Sequence, residues 1–449
     1  MWGVGAQVIQ TLMDVIGAGV VLGILQDEIG EENQCHSVGT GLVCGTEKAW
    51  GKSMEKYSRQ IGVGGLLISD YEKSLVNEVL DSNRLTYGPM TKRLEKEFAS
   101  IHGCRFGLFM NSGTSALHIA LAALKARHGW NDGDEVIVPA VTFVATSNIV
   151  LHNSMMPVFV DVETDTYNID PTKIEEKITP RTRAIIPVHL LGLPATMGPI
   201  QELAKKYNLS IIEDSCETMF AKYMGHPVGS LGDIGCFSTY VAHLLVTGVG
   251  GFSITDDVDL AVDMRSLMNH GRDSIYISCS DDENAEGGRL EEIIDKRFSF
   301  IHVGHSFRCT ELEAALGVGQ MARAEEIVAR RQKIAEYFTS ELMRYSDVLQ
   351  LPTCPPDRTH SFMLYGLVLR HRPKKELVNY LEHANIETRD MLPLTSQPIY
   401  KQMFGKQLED RYPVARWING SGFYIGCHSY MTDSEVEFVT QTFHRFFAT

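Results

Sequence analysis

The chain has 449 residues, of which 44% are hydrophobic and 22% are charged, and its formal net charge is −15. This length allows two or three lobes with a substantial core, while the acidic balance argues against a nucleic-acid or anionic-membrane partner. The nine cysteines are odd in number and form no CxxC pair, which indicates reduced thiols and a cytoplasmic protein.

The first 58 residues are predicted to be an N-terminal extension of uncertain order. No Lys or Arg occurs before Lys48. The apolar run at 15–25 is too short to span a bilayer, and it lacks the positive segment that precedes a secretory signal. Two interpretations stay open: a helix that binds a partner or a membrane surface, and an accessory segment. We expect no membrane span in either case.

From residue 104 onward, apolar strand-like runs alternate with stretches of helical spacing. Strands are predicted at 135–140, 156–162, 184–190, 209–214, 235–240 and 251–255. Helices are predicted at 114–127, 142–153 and 197–207. This alternation predicts an α/β fold with a mostly parallel central sheet flanked by helices. Functional groups then belong at the carboxyl ends of the strands.

The pattern changes after about residue 320. A long charged helix is predicted over 319–345, and it leads into a smaller segment in which helices and strands are mixed. We therefore predict a large domain at 59–320 and a smaller C-terminal α+β domain at 321–449.

The first predicted helix begins with Ser112, Gly113 and Thr114 in the segment NSGTSALHIAL. Free N–H groups, hydroxyls and the positive end of the helix dipole suit an anion. The same residue types are also typical of plain helix capping. Phosphate binding and capping therefore both stay open for this segment.

Three further side chains lie at or just after predicted strands. Asp214 ends a very apolar strand, where a carboxylate either caps the next turn or pairs with a cationic ligand nitrogen. Phe143 is either a core residue or a platform for a flat ligand. Ser238 is a second possible phosphate donor.

The stretch CFSTYVAHLLVTGVGG at 236–251 places His243 between apolar residues. An imidazole titrates near neutral pH. It is therefore either a histidine of the core or a group that moves protons, and this stretch alone does not decide between them.

In this order and spacing, the segments resemble the DegT/DnrJ/EryC1/StrS family of sugar-nucleotide aminotransferases, which have the pyridoxal-phosphate (PLP)-dependent transferase fold of type I. The resemblance runs from about residue 60 to the C-terminus. It includes the segments RLTYGPMTKRLEKEFA, NSGTSALHIAL, VIVPAVTFVATSNIV, IIEDSCET, GDIGCFSTY and YPVARWINGSGFYIGCHSYMT.

The resemblance implies a role for each candidate at the cofactor. Gly113, Thr114 and Ser238 would hold the phosphate group. Phe143 would stack on the pyridine ring, and Asp214 would pair with the protonated ring nitrogen, which keeps the ring an electron sink. No metal site is implied.

Two more positions follow from the resemblance. Glu217 stands where the family usually has Gln near the ring hydroxyl. Ser306, in GHSFRCTELEAAL, stands where a neighbouring subunit usually offers Asn to the phosphate. The family geometry therefore implies a homodimer with shared active sites.

His243 is the main departure from the aminotransferases, because it occupies the position of the lysine that bonds the cofactor covalently. Lys222 reads as solvent-facing and offers no obvious substitute. A His in a Tyr-x-Ala-His context, here Tyr240, Ala242 and His243, is similar to the pyridoxamine-phosphate (PMP)-dependent sugar-nucleotide 3-dehydratases. PLP or PMP would then bind non-covalently, with His243 as the base.

The resemblance implies dehydration at C3 of a nucleotide-linked 4-keto-6-deoxyhexose, in deoxysugar or surface-polysaccharide (lipopolysaccharide or O-antigen) biosynthesis. Only Cys279 lies in the insertion where one relative carries a cluster-binding cysteine set, so no iron–sulfur cluster is expected. The segment ETRDMLPLTSQPIY looks more like the aminotransferases. Two alternatives therefore stay open: a sugar-nucleotide aminotransferase, and a catalytically silent member that binds a sugar nucleotide.

Overall fold

The computed structural model describes residues 55–273, 285–296 and 298–448. Most of the predicted N-terminal extension and Cys279 lie outside these described residues. Within these ranges, no helix combines the length and apolar composition needed to cross a membrane. No cluster of three or more His, Cys, Asp or Glu side chains in the same ranges is arranged to hold a metal ion.

The strands of the described residues form a seven-stranded sheet, a four-stranded sheet and a two-stranded hairpin. They are β1 (Phe106–Met110), β2 (Glu135–Pro139), β3 (Met156–Val160), β4 (Thr182–Ile185), β5 (Ser210–Asp214), β6 (Lys222–Tyr223), β7 (His226–Pro227), β8 (Ile234–Ser238), β9 (Gly251–Thr255), β10 (Leu349–Gln350), β11 (Leu364–Leu369), β12 (Thr388–Asp390) and β13 (Gly422–Gly426).

The large sheet has the strand order β1-β9-β8-β5-β4-β2-β3. Strand β9 runs antiparallel to both of its neighbours, and the other pairs are parallel. The prediction of a mostly parallel sheet is therefore confirmed, and its members include the predicted strands at 135–140, 209–214 and 251–255.

Helices cover the sheets. They are α1 (Asp70–Ser82), α2 (Pro89–Ile101), α3 (Gly113–His128), α4 (Ala145–His152), α5 (Met197–Tyr207), α6 (Val258–Leu267), α7 (Gly287–Lys296), α8 (Glu311–Met321), α9 (Ala324–Leu342), α10 (Lys375–His383), α11 (Pro398–Phe404), α12 (Pro413–Ser421) and α13 (Asp433–Phe447).

Strand β2 shows how the large sheet is buried on both faces. Val136 and Val138 belong to the core cluster that includes Leu117 of α3, whereas Ile137 belongs to the cluster that includes Ile200 of α5. Because successive side chains of a strand point to opposite faces, α3 and α5 lie on opposite sides of the sheet. This layering explains the continuous apolar run of the strand sequence.

Two predicted elements were wrong in extent. The strand expected at 184–190 ends at Ile185, and Leu190–Gly192 form a 3₁₀ turn after it. The helix expected at 319–345 is two helices, because α8 ends at Met321 and α9 begins at Ala324. Between them Arg323 has a φ of −114°, and its guanidinium lies 3.4 Å from the buried Glu72 carboxylate.

The four-stranded sheet has the order β10-β11-β13-β12, with all neighbours antiparallel. Its interior is apolar and includes the fully buried rings of Phe338, Tyr365, Phe423 and Phe443. Helix α13 packs against α9 and α10 on this sheet. The predicted domain boundary between residues 320 and 321 stays a prediction.

Candidate active site

The N-terminus of α3 lies just after the end of β1. Ser112 is the N-cap residue, and its Oγ accepts a hydrogen bond of 3.0 Å from the Ser115 amide. The capping interpretation is therefore correct for Ser112. The amides of Gly113 and Thr114 have no acceptor within the helix, and the Thr114 side chain is exposed. Capping therefore uses Ser112 and leaves the Gly113 and Thr114 amides for the predicted anion, so both interpretations can hold for the same turn.

Gly113 is enclosed on the side that faces β8. A Cβ atom at this position would lie 2.7 Å from Ser238 Cβ and 2.8 Å from Cys216 Sγ, which is closer than real side chains come. The start of α3 and the end of β8 are therefore in direct contact. Gly113 and Ser238, both predicted to hold the phosphate, therefore lie side by side, and their role stays a prediction.

Asp214 is 4% exposed at the carboxyl end of β5. The Thr146 hydroxyl donates to its Oδ2 at 2.7 Å, and the Cys216 amide donates to its Oδ1 at 3.1 Å. Burial raises the pKa of Asp214, while these hydrogen bonds oppose the rise. Because both donors are uncharged, a cationic ligand nitrogen would relieve the cost of burying this carboxylate.

Glu217 lies half-buried three residues after Asp214. Its Oε2 accepts a hydrogen bond of 2.9 Å from the Leu191 amide. Burial raises the pKa of Glu217 to about 7, the Leu191 amide opposes this rise, and the nearby Asp214 charge adds to it. At neutral pH a substantial fraction of the carboxyl therefore carries a proton, so it can donate a hydrogen bond as an amide does.

Phe143 lies in the loop before α4, and its side chain is 55% exposed. Its carbonyl accepts a hydrogen bond of 3.3 Å from the amide of Thr146, the residue that contacts Asp214. The core interpretation of Phe143 is therefore wrong. Its predicted role as a ring platform stays a prediction, and this residue lies one turn from the Asp214 contact.

His243 lies half-buried on the turn that follows β8. Its amide donates to the Tyr240 carbonyl at 2.9 Å, and its ring Nδ1 lies 3.3 Å from the same oxygen. A carbonyl oxygen only accepts hydrogen bonds, so Nδ1 carries the hydrogen and Nε2 carries the lone pair. Because His243 is only half-buried it is not a core residue, and its Nε2 has a lone pair that can accept a proton.

The surroundings of His243 determine the charge state of its imidazole. Burial lowers its pKa to about 4, the Tyr240 carbonyl opposes this, and the positive charge of Arg331 lowers the pKa further. The imidazole is therefore neutral at pH 7. Lys222, which the sequence suggested is solvent-facing, is exposed on β6.

Ser306 contacts residues other than those described above around Asp214 and His243. It is exposed and pairs with Asn269 in an antiparallel bridge, and its Oγ accepts a hydrogen bond of 2.9 Å from Arg308. The neighbouring His305 ring contacts His118 of α3, with 3.2 Å between their Nε2 atoms. The assignment of Ser306 to the site of a neighbouring subunit stays a prediction.

Sequence patterns did not identify Thr146 and Cys216, which both donate hydrogen bonds to Asp214. Thr142 and Thr146 are spaced four residues apart, so their hydroxyls share one side of the chain at the start of α4, 2.9 Å apart. Two hydroxyl residues at this spacing beside a predicted ligand platform are the signal that could have identified Thr146. Cys216 follows Asp214 by two residues and has no such signal.

The chain matches the DegT/DnrJ/EryC1/StrS aminotransferase family over residues 67–444. It is 32% identical to a GDP-perosamine synthase of Caulobacter vibrioides, over 84% of this chain and 96% of the relative. It is 32% identical to a dTDP-4-dehydro-2,6-dideoxy-D-glucose 3-dehydratase of Saccharopolyspora spinosa, over 86% of each. It is 31% identical to the lipopolysaccharide biosynthesis protein RfbH of Salmonella typhimurium, over 85% of this chain and 91% of the relative.

The fold is similar to that of a GDP-4-keto-6-deoxymannose-3-dehydratase. The TM-score is 0.75 at 25% identity, and the similarity covers 85% of this chain and 99% of the other. That structure is of a mutant in which a histidine is replaced by asparagine, with GDP-perosamine bound. The predicted PLP fold type I is thereby confirmed.

Proposed function

The chain belongs to the DegT/DnrJ/EryC1/StrS aminotransferase family, which depends on PLP, and from this premise we propose that it is a PMP-dependent 3-dehydratase. Its substrate would be a nucleotide-linked 4-keto-6-deoxyhexose, in deoxysugar or surface-polysaccharide biosynthesis. The observation that carries this proposal is the neutral imidazole of His243, with its lone pair on Nε2, at the position where aminotransferases of this family have lysine.

The residues around Asp214 fit the cofactor. A buried carboxylate with uncharged donors on both oxygens suits a protonated ring nitrogen. The amides of Gly113 and Thr114, which have no acceptor within α3, start that helix beside Ser238 and suit a phosphate group at a helix N-terminus. When bound, the cofactor supplies an electron sink for bond breaking beside the keto carbon.

The chain itself contributes binding and proton transfer. Gly113, Thr114 and Ser238 would hold the phosphate, and Asp214 would keep the ring nitrogen protonated. Phe143 would stack on the face of the cofactor ring, and Glu217 would lie near the ring hydroxyl. His243 would accept a proton at Nε2 as the C3 hydroxyl leaves. An imidazole cannot form the covalent bond that lysine forms with the cofactor. The cofactor would therefore bind and dissociate without a covalent link to the protein.

The overall reaction balances with PMP as the co-reactant. The substrate would lose one oxygen atom at C3, with conversion of PMP to PLP and release of ammonia. An amino donor would then restore PMP. In contrast, an aminotransferase would exchange the keto oxygen for an amino group and leave the C3 hydroxyl in place.

Aminotransfer is the second candidate function. The GDP-perosamine synthase relative favours it, because it is as similar to this chain as the dehydratase relative is. Against it stands His243 itself, because an imidazole occupies the position at which aminotransferases of this family have the lysine that bonds the cofactor covalently.

A homodimer with shared sites is also proposed. The segment before Ser306 exposes large apolar side chains, including Phe300 at 53%, Ile301 at 54% and Val303 at 96%. Such a patch beside a predicted inter-subunit contact is typical of an interface. Sedimentation should therefore give a dimer at micromolar concentration, whereas a monomer that binds the cofactor would contradict shared sites.

The test is an incubation of the purified protein with PMP and GDP- or CDP-4-keto-6-deoxyhexose, without an amino donor. A dehydratase gives a product lighter by one oxygen atom, together with ammonia and PLP in equal amounts. A product that carries an amino group and keeps the C3 hydroxyl would establish aminotransfer instead. The His243→Asn variant separates either outcome from uncatalysed reaction.

A further inference from the structure

Arg331 lies in the middle of α9 with 1% of its surface exposed. Its Nη1 donates to the carbonyls of Phe362 at 3.3 Å, Met363 at 2.7 Å and Cys427 at 3.3 Å. Its Nη2 donates to the carbonyl of His243 at 3.2 Å. These acceptors are all main-chain oxygens, so peptide dipoles surround this buried cation.

Placing an arginine in the core costs free energy. Burial lowers its pKa to about 10, and an apolar side chain of similar volume would avoid the desolvation cost. What an apolar residue cannot supply is a planar set of donors in fixed directions. Arg331 uses that geometry to join the His243 turn to the start of β11 and the end of β13.

The His243 turn is also enclosed from another side. A Cβ atom on Gly64 would lie 2.8 Å from Ala242 Cα and 3.3 Å from the Val241 carbonyl oxygen. The main chain at Gly64 therefore packs directly on the turn. With this contact on one side and the guanidinium hydrogen bond on its carbonyl, the turn has little freedom to rotate.

We infer that Arg331 is a positioning residue for His243, which holds the turn so that Nδ1 donates to Tyr240 and Nε2 stays available for proton transfer. The inference rests on the proposed function, in which His243 is the base. It assigns Arg331 no contact with the substrate or the cofactor. Its effect passes through the His243 carbonyl.

The first experiment uses the cofactor-free protein and measures amide deuterium exchange by mass spectrometry. In Arg331→Gln, peptides that cover residues 239–247 should exchange about tenfold faster, because the hydrogen bond to the His243 carbonyl is lost. Arg331→Lys keeps the positive charge but loses the planar guanidinium group, so it should give an intermediate exchange rate. The matched control is Arg330→Gln on the same helix, whose side chain contacts Met431 and Asp433, and it should leave this peptide unchanged.

The second experiment follows the loss of deuterium from the C4′ methylene of labelled PMP in the presence of the keto-sugar nucleotide. A displacement of the base by about 1 Å can cost about 10²-fold in rate. We therefore expect a loss of this size in Arg331→Gln, partial rescue in Arg331→Lys, and PMP affinity within about threefold of wild type, since binding energy lies in other contacts. If the Gln variant does not fold, the Lys variant decides.

Two outcomes would overturn the positioning role. One is an unchanged exchange rate for residues 239–247 in folded Arg331 variants. The other is a deuterium-loss rate that falls only in proportion to the folded fraction. Failure of the proposed function looks different, because His243→Asn would then keep the wild-type rate of deuterium loss. If His243→Asn is slow and every folded Arg331 variant is as fast as wild type, only the role of Arg331 is wrong.

Discussion

The hydroxyl of Thr146 donates a hydrogen bond of 2.7 Å to the buried carboxylate of Asp214. That hydroxyl in turn accepts from Thr142, 2.9 Å away, because its own hydrogen is used on Asp214. The Cys216 amide occupies the other carboxylate oxygen. Two elements of the large sheet region, α4 and the turn after β5, thus fix the orientation of one carboxylate.

We expect Asp214→Ala to abolish product formation, with a loss of about 10³-fold or more, since it removes the charge that we propose keeps the cofactor ring protonated. Steady-state product formation with PMP and an amino donor measures this. Asp256→Ala, at an exposed aspartate, is the control for the substitution. Full activity in Asp214→Ala would mean that the cofactor lies elsewhere.

The Thr146 hydroxyl should matter for stability as well as for cofactor binding. Thr146→Val keeps the shape and removes the donor, so the buried carboxylate loses one partner, at a cost of about 1–3 kcal/mol. Urea unfolding of the cofactor-free protein measures this cost, and fluorescence titration measures a weaker affinity for PLP. Thr146→Ser should restore both, and a Ser variant no better than the Val variant would contradict this role of the hydroxyl.

Gly113 allows a test of the turn that we propose binds the cofactor phosphate. In Gly113→Ala the new methyl group would meet Ser238 and Cys216 at less than van der Waals distance, so we expect destabilisation by about 1–3 kcal/mol and a weaker affinity for PLP. Gly420→Ala is the control, because a Cβ there meets nothing within 4 Å and the site lies in α12. Equal effects of the two variants would mean that this turn is not tightly packed.

Sequence patterns predicted most of the large sheet and which candidate residues lie at the ends of its strands, whereas the roles of those residues at the cofactor stay predictions. Asp214 and Ser238 end two neighbouring parallel strands of mainly apolar sequence, and the carboxyl ends of buried parallel strands meet at one edge of a sheet. The contacts that orient these residues were not predictable, because Thr146 and Asp214 are 68 residues apart and Arg331 and His243 are 88 apart. Local periodicity carries no information on such pairs.

The break between α8 and α9 has the same cause. The sequence from 319 to 345 has helical periodicity throughout. The two residues between the helices are Ala322 and Arg323, so neither Gly nor Pro marks the break. Arg323 and Gln320 both contact the buried carboxylate of Glu72, which comes from a helix far earlier in the chain. Tertiary contacts of this kind override local propensity.

Glu217 predicts a specific pH dependence of stability. Its folded-state pKa is about 7, against about 4.3 in an unfolded chain, so the folded state holds this proton more tightly. The contribution of Glu217 to stability is therefore greatest below pH 4.3 and is lost as the pH rises to 7. Glu217→Gln removes this loss, and its stability relative to wild type should increase by on the order of 2 kcal/mol between pH 5 and pH 8.

Urea unfolding of the cofactor-free wild type and the Gln variant at several pH values measures this difference. Glu202→Gln, on an exposed position of α5, controls for the loss of one carboxylate. A stability difference between Glu217→Gln and wild type that stays constant from pH 5 to pH 8 would show that Glu217 does not titrate in this range.

His243 supports the sharpest prediction about the chemistry. Wild-type protein loaded with PLP and treated with borohydride should carry no covalent pyridoxyl group, because a histidine cannot make the reducible bond that lysine makes. His243→Lys should become covalently labelled, with a new visible absorption before reduction, if residue 243 lies at the reacting carbon. His243→Asn should bind PLP with an affinity close to that of wild type.

The His243→Asn substitution also tests whether His243 acts as the base or has no part in proton transfer. The Nε2 lone pair is left free by the Nδ1 contact with Tyr240, so its loss in His243→Asn should reduce proton removal from the cofactor methylene by about 10²–10⁴-fold. Because burial lowers the His243 pKa to about 4, the wild-type rate of this step should not fall between pH 8 and pH 6. A borohydride-labelled lysine in the wild-type protein, located by peptide mass, would instead identify another residue as the anchor and make aminotransfer the better assignment.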